Sequence, residues 1–161
     1  MKNIKLILIA LMAFALTGCS DSSNDNPEPP GGGGSGSGSV VGQWHMISWS
    51  TLSTADVYLS FSDAGTFEVY QRVYTPQYVH FRGGYSYQDG TLSGQYSDNT
   101  AWGGSYSVSF NSDGTQMTLT RTASAGDVSV FVKAAIPDEI ISSVEAAALQ
   151  SRAAEETLRF L

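Results

Sequence analysis

Three side chains in this sequence are of the types that most often do chemistry: one cysteine, Cys19, and two histidines, His45 and His80. A single cysteine can form neither an internal disulfide nor a metal site built from several thiolates. Both histidines fall in stretches that alternate like β-strands, where we expect them to occupy strand faces rather than to act as bases or ligands. We therefore predict no catalytic residues, no bound metal, no cofactor and no enzymatic activity.

The aspartates are concentrated in turns. Their side chains can accept hydrogen bonds from their own backbone there, so we expect them to close turns rather than to bind calcium. Asp98, followed by Asn99 in the longest predicted loop, has no such explanation. Four others lie within two positions of a glycine: Asp63, Asp89, Asp113 and Asp127.

The first nineteen residues have the order of segments found in a secretory signal. Lys2 and Lys5 make the start positive, and an apolar run of eleven residues extends from Leu6 to Leu16. Such a run is too short to cross about 30 Å of hydrocarbon, but it suits the apolar part of a signal peptide. The run ends in Leu16-Thr17-Gly18-Cys19, which resembles the lipobox of bacterial lipoproteins, where a leucine and two small residues precede the lipid-bearing cysteine.

The resemblance implies that residues 1–18 are a signal peptide and that Cys19 becomes the lipidated N-terminus. In such lipoproteins the thiol is alkylated with diacylglycerol, the bond between Gly18 and Cys19 is cut, and the new amine is often acylated. Two or three acyl chains anchor a protein stably, because each buried CH₂ contributes about 0.8 kcal/mol. The expected location is the outer membrane, with the protein held through Cys19 on the periplasmic face or at the cell surface.

Residues 19–39 are predicted to form a disordered tether. After Cys19 they include three prolines, four consecutive glycines and a Gly-Ser alternation, with no apolar residue. This composition cannot bury apolar surface and does not fold. A flexible chain of this length has a root-mean-square span of about 25 Å, so the domain that follows can move above the membrane.

The charge of the chain argues against a nucleic-acid partner. The full sequence has 15 acidic and 8 basic side chains, a net charge of −7. Removal of residues 1–18 takes away Lys2 and Lys5 and leaves six basic side chains, so that the mature charge is −9. Binding of nucleic acid requires clustered lysine and arginine.

Residues 40–161 are predicted to be one all-β domain. Short hairpins with one apolar face favour an antiparallel up-and-down barrel of about eight strands. The clearest turn is Asp89-Gly90, since a type I′ turn needs positive φ at both central residues. Alternation between apolar and polar residues predicts strands at 40–50, 57–61, 66–74, 78–88, 91–96, 105–110, 116–122 and 128–133.

A C-terminal helix is predicted over 138–154, following Pro137. Asp138 and Glu139 in its first turn complement the helix dipole. A modest apolar stripe that includes Ile140 and Val144 suits a position on the outside of the barrel or across its mouth. Residues 157–161, which end in Phe160 and Leu161, are predicted to form a short docking strand.

Gly42-Gln43-Trp44 resembles the Gly-x-Trp signature of lipocalins. The whole of 40–161 resembles the lipocalin-like domains found in lipoproteins of gut bacteria, including a Phe-Ser-Asp-x-Gly-Thr-Phe stretch at 61–67 and a Thr-Leu-Thr strand. The resemblance implies that Trp44 closes the floor of the barrel and that an arginine from a late strand, here Arg121, stacks on it. Such a cation–π contact contributes about 0.5–2 kcal/mol.

Two functions compete with simple packing for the abundant aromatic residues. In the first, the barrel holds one small apolar ligand. In the second, the domain is a non-enzymatic surface module whose exposed aromatics contact a glycan or a protein partner by stacking and hydrogen bonds. An enzyme ranks third. The residues predicted to bind the ligand are Trp44, Tyr85, Tyr87, Trp102, Met117 and Arg121.

Overall fold

The computed structural model describes residues 38–150 and 158–161. The signal peptide, Cys19 and nearly all of the tether therefore lie outside the described residues, as do positions 151–154 of the predicted helix.

Eight antiparallel strands form a closed barrel, in which each strand pairs with the next and the last pairs with the first. One helix, α1 (Asp138–Gln150), follows the barrel, and the predicted fold is confirmed. Within the described part of the chain, no helix is long and apolar enough to cross a membrane. The strands are β1 (Gly42–Trp49), β2 (Asp56–Phe61), β3 (Thr66–Arg72), β4 (Val79–Gln88), β5 (Thr91–Tyr96), β6 (Tyr106–Phe110), β7 (Gln116–Arg121) and β8 (Val128–Lys133).

The core follows the alternation of the strands. In β2 and β3 alternate residues face inward and are buried, and the register pairs Leu59 with Val69 and Phe61 with Phe67. Apolar side chains opposite each other on one face make closure favourable, because burial contributes about 25 cal/mol per Å². Closure also removes the unpaired strand edges that an open sheet would leave.

The two ends of the barrel differ in what covers them. We call the end with the turns at 62–65, 89–90 and 111–115 the floor, and the end with the loops at 50–55, 73–78, 97–105 and 122–127 the mouth. At the floor, Asp89 and Gly90 have φ of 51° and 74°, which confirms positive φ at both predicted turn positions. At the mouth, β3 stops at Arg72 instead of residue 74, because Tyr74 has φ 59° and leaves the extended conformation.

Strand β1 is shorter than predicted and contains a bulge. It begins at Gly42 and changes register against β8 between Met46 and Ser48. A bulge places an extra residue outside the ladder, and Ile47 between these two is 56% exposed. The other strands agree with the predicted bounds to within one residue, apart from the end of β3.

Helix α1 packs on the outside of the barrel. Ile140 is buried together with Ile136 and Tyr70, and Tyr58 and Tyr78 pack around them. Tyr70 alternates with the inward residues of β3 and faces out, but the helix covers it, and it is only 7% exposed.

Residues 158–161 return to the mouth of the barrel. They dock there, as the sequence predicts, but without forming a strand. Their backbone groups bond to side chains, Gln71 and Tyr96, instead of to a neighbouring strand.

Candidate functional site

Trp44 lies at the floor of the barrel, fully buried. Its indole Nε1 donates a hydrogen bond to the carbonyl oxygen of Val40 at 2.7 Å, and its ring lies 6.1 Å from that of Phe110. The cation over it is Lys133, whose Nζ is 5.3 Å from the ring centre. Register explains this contact, because Trp44 and Lys133 are directly opposite each other on β1 and β8.

The predicted contact between Arg121 and Trp44 is wrong. Strand β7 starts at the floor with Gln116 and reaches the mouth with Arg121, and five residues of strand span about 17 Å. Arg121 therefore lies at the opposite end of the barrel from Trp44. Its guanidinium donates a hydrogen bond to the carbonyl oxygen of Gly103 and lies 3.9 Å from the Asp127 carboxylate.

The other predicted ligand-binding residues are distributed along the barrel. Met117 is fully buried in the core. Tyr85 and Tyr87 are partly buried against it, and the Tyr85 hydroxyl donates to the Ser62 carbonyl oxygen at 2.7 Å. Trp102 belongs to the mouth loop but points into the core, where its ring meets Phe67 edge-on at 5.0 Å. Of the six residues, Trp102 and Arg121 belong to the mouth, where the Arg121 guanidinium bonds to the backbone of Gly103, the next residue after Trp102.

Trp102 reaches the core because its indole lies against the backbone of β5. A Cβ at Gly94 would come within 2.5 Å of that ring, so a side chain at this position would displace it. Trp102 is 6% exposed. It is a packing residue here and not an exposed aromatic.

The mouth is closed by the chain itself. The Phe160 ring lies 5.0 Å from Trp49 and 6.0 Å from Phe131, both edge-on, and Leu161 is buried beside it. The chain's own side chains thus fill the barrel from Trp44 at the floor to Phe160 at the mouth. The apolar residues Phe160 and Leu161 predicted that this segment docks on the barrel, but the sequence did not predict where on the barrel it docks.

A depression runs beside β4 on the outside of the barrel. Strand β4 has ten residues but pairs with β5 only from Gly83 onward, so its first half lacks a strand neighbour on that side. Two adjoining hollows of about 300 and 400 Å³ lie here and share Arg82 and Ser97. We call them the β4 groove; its lining includes Ser60, Ser62, Thr66, Glu68, His80, Phe81, Arg82, Tyr96, Ser97, Asp98 and Arg159.

At one end of the β4 groove, Arg159 and Asp98 form an ion pair in which the two charges neutralise each other. Arg159 donates two hydrogen bonds to the Asp98 carboxylate, at 2.6 and 3.3 Å, and these hold the pKa of Asp98 well below its usual range. The same guanidinium lies 4.5 Å from the centre of the Tyr96 ring and 5.0 Å from that of Phe81. Burial raises the pKa of the Tyr96 hydroxyl, so this phenol stays protonated.

Arg82 and His80 are the groove's less constrained polar groups. Arg82 is exposed, and no carboxylate among the described residues lies within 4 Å of its guanidinium. His80 Nε2 is buried, without a hydrogen-bond partner in the described part of the chain, and lies 3.8 Å from Glu68. Burial lowers the pKa of His80, so its imidazole is neutral at neutral pH. The groove therefore offers an exposed arginine, which lies opposite Glu68 in the β3–β4 register, together with a neutral imidazole and several hydroxyls.

A second polar cluster lies on the outer face, around Asp56. Its carboxylate accepts hydrogen bonds from the Tyr78 hydroxyl and, at 3.2 Å, from Arg72, and it lies 3.0 Å from His45 Nε2. The His45 ring stacks on Tyr58 at 4.2 Å. The cluster joins β1, β2 and β3 to the residue before β4, which explains one of the two histidines as a residue of a strand face.

The Asp56 cluster predicts a loss of stability in acid. Burial alone would raise the pKa of Asp56, but hydrogen bonds from Tyr78 and His45 and the charge of Arg72 together lower it. A carboxylate whose pKa is lowered by folding stabilises the protein above about pH 4, and this contribution is lost as the pH falls through the folded pKa. Because the cluster is partly exposed, its contribution is about 0.2–1 kcal/mol, equivalent to a few degrees in Tm.

Asp56→Asn is therefore expected to reduce the difference in Tm between pH 7 and pH 3 by a few degrees. Circular dichroism melts at both values measure this, with Asp63→Asn in an exposed turn as the control. An unchanged difference in Asp56→Asn would show that the cluster does not link stability to pH.

Among the described residues, no group of three histidine, cysteine or carboxylate side chains is placed to hold a metal ion. Comparison of the sequence with protein-family models and with curated proteins gave no match.

Proposed function

We propose that the mature protein is a lipid-anchored, non-enzymatic binding module of the outer membrane, and that it holds a glycan carrying an anionic group in the β4 groove. The observation that supports this most directly is the contrast between the two sides of the barrel wall. The inside is filled by the chain's own side chains, whereas the outside carries an open depression lined by hydroxyls and by Arg82, whose guanidinium has no carboxylate within 4 Å in the described part of the chain.

The groups in the β4 groove suit a sugar. Serine and threonine hydroxyls donate and accept hydrogen bonds. The hydroxyls of Ser60, Ser62 and Thr66 can therefore bond sugar hydroxyls that act either as donors or as acceptors. The planar guanidinium of Arg82 presents a fork of donors that matches a carboxylate or a phosphate. Two carboxylates also line the groove: Asp98 is paired with Arg159, and Glu68 lies opposite Arg82. The remaining negative charges weigh little, because charges farther than about 8 Å are largely screened at physiological ionic strength.

Arg82→Gln is expected to weaken glycan binding at least about tenfold, since a charge-assisted hydrogen bond contributes about 1.5–3 kcal/mol. A glycan array identifies ligands, and calorimetry on the wild type and variants at two salt concentrations measures affinity. Arg72→Gln is the matched control, because Arg72 also projects from the outer face but pairs with Asp56. The control should bind as the wild type does.

Two results would reject this function. One is the absence of any anionic glycan that binds the wild-type protein. The other is equal affinity in Arg82→Gln and the wild type, with both variants folded, which would place the ligand elsewhere.

The apolar-ligand carrier is a second candidate, supported by one observation. The side chains that close the mouth belong to residues 158–161, which are not part of any strand, and Phe160 occupies the space next to Trp49 and Phe131. An apolar ligand would take this space if the segment withdrew. Native mass spectrometry of protein purified from membranes in mild detergent would support the carrier by detecting a retained lipid.

A further inference from the structure

Gln71 in β3 is a fully buried polar side chain that forms hydrogen bonds with the backbone of residues 158–161. Its Nε2 donates to the carbonyl oxygen of Leu158 at 2.6 Å, and its Oε1 accepts from the backbone N–H of Phe160 at 2.8 Å. Neighbouring strands likewise bond each other through backbone N–H and C=O groups. The Gln71 amide therefore takes the place of a strand neighbour and can bind any extended segment, whatever its side chains.

The side chains of the segment have separate contacts. Phe160 inserts edge-on between Trp49 and Phe131. Leu161 is 4% exposed, and its carbonyl oxygen accepts a hydrogen bond from the Tyr96 hydroxyl at 3.0 Å. The mouth thus selects an aromatic residue followed by an aliphatic one.

The residue before the aromatic is recognised by charge. Asp98 receives two hydrogen bonds from Arg159, and the rings of Phe81 and Tyr96 lie on the guanidinium. Asp98 also accepts a hydrogen bond from the backbone N–H of Thr100 in its own turn, so the carboxylate bonds both its loop and Arg159. The three positions together form the pattern Arg-Phe-Leu.

Two of the side chains that hold the segment also have bonds that do not involve it, and the backbone of a third is fixed in the sheet. The Trp49 indole donates to the Asp127 carboxylate at 2.7 Å, and the Asp98 carboxylate accepts from the backbone N–H of Thr100 at 3.0 Å. Gln71 lies within the ladder, opposite Val57 and Val79. A site that keeps its shape without its occupant loses little entropy when it binds, which favours affinity.

We propose that the mouth of the barrel is a binding site for an extended peptide with the pattern Arg-Phe-Leu, and that residues 158–161 are its resident, exchangeable occupant. The proposal concerns a different site from the β4 groove and does not depend on glycan binding there. The covalently linked segment competes at an effective concentration in the millimolar range, so a free peptide binds well only when the resident segment is removed or weakened.

The test uses the domain shortened to end at Thr157 and a fluorescent peptide, Leu-Arg-Phe-Leu. We expect saturable binding by fluorescence anisotropy and a rise in Tm with peptide concentration. The peptide Leu-Arg-Ala-Leu should bind at least about tenfold more weakly, since the ring supplies most of the apolar contact. Because the shortened domain could fail to fold, the full chain with Phe160→Ala is the second test protein, and it should bind the peptide more tightly than the wild type does.

Asp98→Asn, combined with Phe160→Ala, separates this site from general apolar binding. It should lower the preference for Leu-Arg-Phe-Leu over Leu-Gln-Phe-Leu about fivefold or more, because only the arginine peptide loses an ion pair, whereas the weaker hold on Arg159 of the resident segment affects both peptides alike. If Phe160→Ala does not bind the peptide at about 1 mM, within the range of the linked segment, the proposal is overturned. Equal binding of the phenylalanine and alanine peptides would also overturn it.

Discussion

Trp44→Ala is expected to lower the free energy of unfolding by about 3–5 kcal/mol. Trp44 is fully buried at the floor, and its removal leaves a cavity against Phe110 and takes away the partner of the Val40 carbonyl oxygen. It also removes the ring beneath Lys133. Domains are commonly stable by about 5–15 kcal/mol, so the variant is expected to be partly unfolded at elevated temperature.

Urea denaturation followed by circular dichroism measures this loss. The matched control is Ile47→Ala in the same strand, where the exposed side chain should change stability by less than about 0.5 kcal/mol. A loss below about 1 kcal/mol in Trp44→Ala would contradict the role of Trp44 as the floor of the core.

Cys19→Ser is expected to abolish attachment to the membrane. If the lipobox is used, the thiol of Cys19 carries the diacylglycerol, and serine offers no thiol to alkylate. A single myristoyl chain binds membranes with an association constant of only about 10⁴ M⁻¹, whereas several chains anchor stably, so loss of the whole lipid group has a large effect. Metabolic labelling with an alkyne fatty acid and membrane fractionation measure it.

Ser20→Ala is the neighbouring control and should be labelled and fractionate like the wild type. Persistent labelling of Cys19→Ser would reject the lipoprotein hypothesis. So would a wild-type protein that is not labelled.

Much of the fold could be predicted because it follows from local rules. Alternation at period two sets which residues of β2 and β3 face inward, and Leu59 and Val69 lie opposite each other as this requires. The Asp89–Gly90 turn follows from the φ values that these two residues accept. The lipobox, the signal peptide and the tether are also local patterns, and they remain predictions outside the described residues.

The candidate sites were less predictable, because they depend on contacts between distant residues. The pattern of β3 places Gln71 among the inward residues. It does not predict which group bonds the buried amide, and that group is the backbone carbonyl of Leu158, 87 positions away in the chain. Asp98 stood out as an unexplained carboxylate, and Arg159 is its partner. The β4 groove exists because β5 is shorter than β4 and pairs with only part of it. The sequence of one strand alone does not predict how many of its residues pair with a neighbour.

The type, number and order of the elements are therefore properties of short stretches of this chain, since strand alternation and turn chemistry act over a few residues. The cation over Trp44 is decided by closure of the barrel, because the β1–β8 register places Lys133 opposite Trp44 and Arg121 lies at the far end. The contacts at the mouth also depend on the tertiary structure. Cys19 and its neighbours predict from the sequence that the protein is lipid-anchored, whereas the occupant of the barrel's mouth is set by packing between Phe160 and residues far from it in the chain.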